Sequence, residues 1–594
     1  MPFQSPVTSQ QNQAMSQAQA ANPVIKMVFD RYQEAKQYRR AVDAPWDRWY
    51  RRYDGLHWDT PRPSYRSSPT VNFVFSTLET IVPIMTDRSP QITAIGAHED
   101  DNALADIHSM IQRRVWVDND MDLKLPTIMR TSLIFGTAVA KAYWDHRRGP
   151  HGTDGEPMGD VAISYVDPRH FYVSPGATSV EDANYVLFAA NLPIATVEGL
   201  YGVKIEEPGI WDEDLTITKN AAGTDSPSSP STGPIQSTDG TVTSWPTGTP
   251  GSPQMNRSAL CTLVELWYRE QGEIMCVIAA NGQVLKGPIS PEGYNRFPFV
   301  TFIDYTVPSM FWGMGEIQQL EPIQDSINKR RGQIIDILRL TANPPIIADS
   351  DSGINPKALT TRPGLIIFKN RGSDIHWLQP PVLPSALFEL QALDKQDFDN
   401  VSGVYDVTQG KRPTGIEAAS AIAELQEAAQ TRIRAKVRNM EASLRNLGRL
   451  VLDLVQAFYT QERTVRIVGA PVGQPGFVTI NQDSYDEQTK AIKRINDVTA
   501  GEYDIEIGVG STMPVNKTRR FEQMLQLFEL GIVDQQAVLD YTGLSQEEVV
   551  RITGRMQQQA MGMQSAATEA STQPAGSGSA PSEEELAVFE QQAG

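Results

Sequence analysis

Cysteine is almost missing from this chain. There are two in 594 residues, Cys261 and Cys276, which excludes a disulfide-dense scaffold and any cysteine-rich zinc module. One bridge between them is chemically allowed, but two buried free thiols are the expected state. Histidine is scarce as well. The seven (His57, His98, His108, His146, His151, His170 and His376) form no H-E-x-x-H and share no ligand spacing with the cysteines. No apolar run approaches the roughly 20 residues that span a bilayer. The start, Met1-Pro2-Phe3-Gln4-Ser5, has neither a basic nor an apolar region, so no secretory signal and no membrane partner are expected. Nucleotide chemistry lacks its loop. Gly410-Lys411 has no upstream glycine at P-loop spacing, and Gly313-Met314-Gly315 is too short for a dinucleotide fingerprint. There is no G-x-S-x-G elbow. Catalytic residues, cofactors and metal ligands are therefore expected to be none.

Positive charge is also in deficit: 52 Lys and Arg stand against 71 Asp and Glu, a net −19. An acidic surface repels nucleic acid at long range, and a tight DNA binder shows the opposite sign in at least one domain. The protein either never meets DNA or touches it without holding it.

What is present is ordinary globular material. Hydrophobic residues make up 40%, with 43 glycines besides, enough for a sizeable core and several domains. The Gln-, Ala- and Ser-rich start reads as a disordered arm, and helical spacing begins near Asn22-Pro23. The aromatic cluster Trp46, Trp49, Tyr50, Tyr53 and Trp58 reads as a helix packing into a core. The neighbouring Arg48, Arg51 and Arg52 are interleaved with Asp43, Asp47 and Asp54, so they are not a nucleic-acid patch. Helices are expected over 71–85, 103–116 and 124–135. Strands follow over 161–166, 171–173, 260–268 and 274–279, with Asn281-Gly282 as a two-residue hairpin turn. Residues 220–254 are dominated by Ser, Thr, Gly and Pro and read as a disordered insertion.

The middle of the chain carries the strongest pattern. Ile317, Leu320, Ile323, Ile327, Ile334 and Leu338 predict a helix over 316–341, roughly 39 Å long. Asn343-Pro344-Pro345 stops it, and a β-rich patch follows with Ile346-Ile347, Leu365–Phe368 and Ile375–Leu378. A second helix is expected over 384–401 with Leu387, Leu390, Leu393, Phe398 and Val401 inward. After a Gly- and Pro-containing loop, a third helix is expected over 416–461, roughly 65 Å long. Short strands resume near 464–468, 477–480 and 503–509. A helical region from 517 to 556 and a polar tail, disordered from about 561, end the chain.

This order, with its residues, resembles the portal proteins of tailed double-stranded DNA bacteriophages. The matching runs are Val71-Asn72-Phe73-Val74-Phe75-Ser76-Thr77-Leu78-Glu79, Val166-Asp167-Pro168-Arg169-His170-Phe171, and Phe398-Asp399-Asn400-Val401-Ser402-Gly403-Val404 through Gly410 to Ile422. Tyr503-Asp504-Ile505 and Gly510-Ser511-Thr512-Met513-Pro514 complete the series. The resemblance implies an α+β, predominantly α fold and a ring, normally of twelve copies, at one capsid vertex of the virion, assembled in the host cytoplasm. It implies a disordered arm (1–22), a wing (23–312, with the insertion 220–254) and a first stem helix (313–342). A clip (343–382), a second stem helix (383–401) and a tunnel loop (402–415) follow. A wing spine with closing strands (416–510), a crown (511–560) and a tail (561–594) complete the chain.

Double-stranded DNA would pass through the channel. The implied partners are the terminase large subunit and then head–tail adaptors, docked on the clip, with major capsid and scaffold protein around the ring. The DNA-facing loop residues would be Gln409, Gly410, Lys411, Arg412 and Thr414. The clip surface would be Ile346, Ile347, Leu365, Ile366 and Phe368. A coiled-coil scaffold or tail adaptor is the alternative, and a cryptic metal-dependent nuclease the second.

Such a role accounts for the charge. DNA carries one phosphate charge per about 1.7 Å of axis, so a basic channel would grip it at many points and stall it. The first stem helix counts as about neutral. The second is about −3, with Lys395 alone opposing Glu389, Asp394, Asp397 and Asp399. The exceptions are the cluster Lys329, Arg330 and Arg331, expected to make salt bridges to the second stem helix of a neighbouring copy, and the loop pair Lys411 and Arg412.

Overall fold

A computed structural model of the chain describes residues 22–205, 260–342, 346–348, 375–377, 384–404, 431–466, 476–486 and 491–507, together with 370, 525–528 and 530; positions 61, 64, 88, 91, 99–100 and 153–154 are left out of the first span. The chain divides into two units, residues 1–470 with 475–514, and 471–474 with 515–594. In the second, residues 525–528 form a helical turn. All elements named below belong to the first.

The Asn22 side chain caps α1 (Pro23–Asp43) by accepting from the Val24 amide at 3.0 Å, and Pro23 occupies the first turn, where its missing N–H costs nothing. Then come α2 (Trp46–Tyr53), α3 (Phe73–Thr86), β1 (Ile92–Gly96), α4 (Asn102–Asp118) and α5 (Met121–Phe135). Eight strands and one short helix of the described residues follow: β2 (Thr137–Asp145), β3 (Asp160–Val166), β4 (Phe171–Val173), β5 (Tyr185–Pro193), α6 (Ile194–Tyr201), β6 (Leu260–Glu270), β7 (Glu273–Ala280), β8 (Gln283–Ile289) and β9 (Phe299–Ile303). The chain continues with α7 (Glu316–Ala342), β10 (Ile346–Ala348), β11 (Ile375–Trp377), α8 (Ala386–Ser402) and α9 (Thr431–Phe458). It ends this unit with β12 (Arg463–Arg466), β13 (Phe477–Ile480), β14 (Gln482–Asp486), β15 (Ala491–Ile495) and β16 (Tyr503–Ile507). The fold is α+β.

Two antiparallel sheets carry the framework, one ordered β4-β5-β6-β7-β8 and one ordered β3-β2-β9. Val28, Tyr32 and Ala35 of α1 share a buried cluster with Tyr172, Leu187, Val264, Leu266 and Val277 of the larger sheet. Arg39 fastens the same helix. Its Nη1 donates to the carbonyls of Pro168, Arg169 and Phe171 at 3.2, 2.7 and 2.9 Å. The main core joins Trp46 and Trp49, α3, α5, the smaller sheet, the first half of α7, and the stripe Ile433, Val437, Met440, Leu444, Leu447, Val451 and Leu454 of α9. Asn281 and Gly282 turn β7 into β8 with φ of 47° and 77°, as the sequence predicts. Cys261 and Cys276 are buried and free.

The structure departs from the sequence reading in several places. β5 was not anticipated, because Tyr185-Val186-Leu187-Phe188-Ala189 is continuously apolar and gives no alternation; it lies inside the sheet, covered on both faces. β1 pairs with β16, Ile92 opposite Ile507, a closure between residues far apart in the chain. On α8 only Asp394, Phe398 and Ser402 are buried; Leu390, Leu393 and Val401, expected inward, are exposed. One side of that helix rests on α7, and the leucines lie beside the contact. The long third helix is described from Thr431 to Phe458, so its expected first residues, 416–430, lie outside the described residues. So do the arm, the insertion, the tail and nearly all of the expected crown.

Candidate functional site

Three close approaches set the root of α7. Gly136 ends α5 at φ 87°, and a Cβ there would sit 2.1 Å from the Gly313 oxygen. A Cβ on Gly313 would fall 2.6 Å from the Gly136 oxygen, and one on Gly315 2.7 Å from the Leu133 oxygen. The pair Gly313 and Gly315, which failed as a nucleotide fingerprint, thus serves backbone-to-backbone packing.

Beside this root lies a buried charge cluster. Lys436 of α9 is ion-paired with Asp304, just after β9, and with Glu316, the first residue of α7, at 2.9 Å. The Tyr305 hydroxyl donates to Glu316 Oε1 at 2.9 Å, and Asn439 Nδ2 donates to the Asp304 carbonyl at 2.9 Å. Two carboxylates share one ammonium, so burial pushes the Asp304 carboxyl up to about 7, with Glu316 adding to the effect. Burial works against the Lys436 charge, but the two carboxylates more than offset it and its pKa rises.

Along α7 the polar residues Gln324, Asn328 and Asp336 recur at multiples of four and face one extended segment, residues 67–73. Gln324 donates to the Val71 carbonyl at 2.6 Å and accepts from the Phe73 amide at 3.0 Å. Asn328 accepts from the Val71 amide at 3.0 Å and Asp336 from the Ser67 amide at 2.8 Å. Gly332 fits between them, where a Cβ would stand 3.2 Å from the Ser67 oxygen. The segment lies along the helix as a strap, its main-chain groups satisfied by side chains instead of a sheet.

The acids of α7 are taken up by neighbours. Glu321 pairs with Arg48 at 2.6 Å and accepts from Trp49 Nε1 at 3.2 Å; Asp325 pairs with Arg52 at 3.2 Å and Asp336 with Arg66 at 3.8 Å. Arg48 and Arg52 therefore pair with acids of α7, not with the interleaved Asp43, Asp47 and Asp54. Of the basic cluster, Lys329 and Arg331 are exposed. Arg330 is not: it pairs with Asp394 of α8 at 2.9 Å and donates to the Leu390 carbonyl at 2.8 Å. Arg330 thus bridges to the second helix of its own chain.

Gly403 ends α8 at φ 68°, and Arg432 Nη1 donates to the Asn400 and Val401 carbonyls at 3.2 and 2.6 Å. That supplies a cation and donors where a helix end offers open acceptors. At the opposite end of the pair, β10 and β11 form a two-stranded ladder with Ile346 opposite Trp377 and Ile347 opposite His376; Ile347 is exposed. Leu365, Ile366 and Phe368, and the loop residues Gln409, Gly410, Lys411, Arg412 and Thr414, lie outside the described residues. Among the described residues no His, Cys, Asp and Glu side chains gather as a metal-holding group, and no helix is long and apolar enough to cross a membrane.

A family model described as phage P22-like portal protein matches residues 26–593. The chain belongs to that family. It is therefore a portal protein of a phage-type virion, in a structural family. No curated protein matches. Among solved structures, a chain from the virion of a native gene transfer agent particle is 10% identical, with 86% of this chain and 93% of that one covered at a TM-score of 0.36, too low to carry an argument. Sequence reasoning missed Asp304, Glu316 and Lys436, which are scattered along the chain. Gln324, Asn328 and Asp336 could have been found from their helical spacing.

Proposed function

We propose that this portal protein closes into a ring at one capsid vertex, normally of twelve copies. Double-stranded DNA passes through the ring during packaging and ejection, and the terminase large subunit and then head–tail adaptors dock on it. α7 and α8 are the stem in this reading, residues 343–382 the clip, 402–415 the tunnel loop and 511–560 the crown. The observation that carries it is the charge balance of the helix pair within a chain of this family. Neighbouring arginines and Lys436 take up the acids of α7, and Arg330 is turned onto α8. Glu389 and Asp397 stay exposed on α8, so the pair offers DNA little to grip. Lys329, Arg331 and Arg339 of α7 and Lys395 of α8 remain as exposed cations, and Lys411 with Arg412 would make one further basic level.

Imaging the purified protein by negative stain tests the reading. Closed rings with an axial hole are expected. Rods or monomers at every protein concentration would reject it in favour of a coiled-coil scaffold or adaptor.

A further inference from the structure

Asp304, Glu316 and Lys436 come from the end of β9, the start of α7 and the second turn of α9, and their side chains are 1%, 3% and 2% exposed. One carboxylate would be enough to neutralise a buried lysine. Here there are two, and Asp304 Oδ2 has no hydrogen-bond partner although it is buried. An ammonium, a carboxyl and a second carboxylate in direct contact, shut away from water, are the reactants and the base of an amide condensation.

The geometry points to a covalent modification site: an intrachain amide between Lys436 Nζ and Asp304 Cγ, formed with Glu316 as the catalytic base. The starting state is Asp304 as the neutral acid, Lys436 as the ammonium and Glu316 as the carboxylate. Glu316, 2.9 Å from Nζ, takes one proton from the ammonium. The freed lone pair attacks Cγ, and the tetrahedral centre loses one carboxyl oxygen with two protons as water. The amide keeps the last nitrogen proton, and Glu316 ends as the neutral acid. Atoms and charge balance with no oxidant, reductant or co-reactant.

Several features favour the step. Burial raises the Asp304 carboxyl toward its neutral form, the electrophile the step needs. The Tyr305 hydroxyl fixes the base by donating to Glu316 Oε1, and the Tyr305 ring lies 3.8 Å from Nζ, walling the amine in. Asn439 holds the Asp304 main chain. Contact of the reacting groups replaces a bimolecular encounter. The product leaves no charge in the cluster, which removes the desolvation cost of keeping the Lys436 ammonium and the Glu316 carboxylate there. It would join Asp304 and Lys436, 132 positions apart, with a bond that ties the root of α7 to α9.

Intact mass measured on the denatured, purified chain decides the question, with the terminal peptides read separately to fix any end processing. A deficit of one water is expected, together with a branched peptide joining the segments that hold Asp304 and Lys436. Glu316→Gln should keep both reacting groups but form the bond at least about a hundredfold more slowly, the usual reach of a positioned base. Lys436→Arg should keep the charge and show no deficit. A full-mass wild-type chain with only linear peptides after prolonged incubation at pH 7 would overturn the proposal, whether or not the variants fold. A full-rate deficit in Glu316→Gln would overturn the role of that carboxylate.

Discussion

Arg330 of α7 stands 2.9 Å from Asp394 of α8, and its guanidinium also donates to the Leu390 carbonyl of the same helix. The contact lies within the last buried turns of α7, between Asn328 and Gly332. Burial raises the Asp394 pKa in spite of the arginine, so the carboxylate depends on its partner. Arg330→Ala should cost about 2 kcal/mol in urea denaturation, chiefly by leaving a desolvated carboxylate alone. Adding Asp394→Asn should recover roughly half, because the pair is partly exposed and its coupling is on the order of 1 kcal/mol. A double-mutant cycle with no coupling would show that the helices are held by packing alone.

The strap at residues 67–73 should depend on Gln324. Gln324→Leu leaves the Val71 carbonyl and Phe73 amide without their partner, a loss of about 2–4 kcal/mol. Hydrogen exchange at Phe73 should speed up while β6 stays protected. Uniform loss of protection would mean that the strap is part of the global unit rather than a local one.

His108 sits at 1% exposure in α4 with its ring 4.3 Å from that of Tyr503 in β16, and burial alone lowers its pKa to about 4. An imidazole kept neutral in the fold but free to protonate when unfolded stabilises fully above about pH 6.5. That stability is lost as pH falls toward 4, because the unfolded chain then binds more protons. The loss should approach about 3 kcal/mol. His108→Phe should flatten the dependence of the urea midpoint between pH 6.5 and 4. An unchanged slope would assign the acid sensitivity to carboxylates.

Lys411 and Arg412 carry the prediction that reaches function. Lys411→Glu with Arg412→Glu should leave the ring intact, since neither lies on an apolar helical stripe. Packaged DNA should then slip, most severely near full genome length. Particle assembly and packaged length are measured together. Full-length genomes stably held would make these two charges ordinary solvated surface.

Deleting Pro356 to Arg362 should weaken terminase binding or ring closure, because the short strands around it offer open edges for a partner strand. Unchanged pull-down of terminase by closed rings would remove the clip as the docking surface.

The sequence by itself determined the elements whose pattern is local. α7 and α9 follow from apolar residues three and four apart, and the β7–β8 turn from Asn281-Gly282. Family membership was also legible, as an ordered series of short runs. Tertiary structure alone decided which polar residues meet. Lys436 finds Asp304 and Glu316 because β9, α7 and α9 converge on one core, and nothing near any of the three in sequence marks the meeting. The same holds for the outward leucines of α8 and for Arg330. A helix has two candidate apolar sides, and only the position of its neighbour fixes which one is covered.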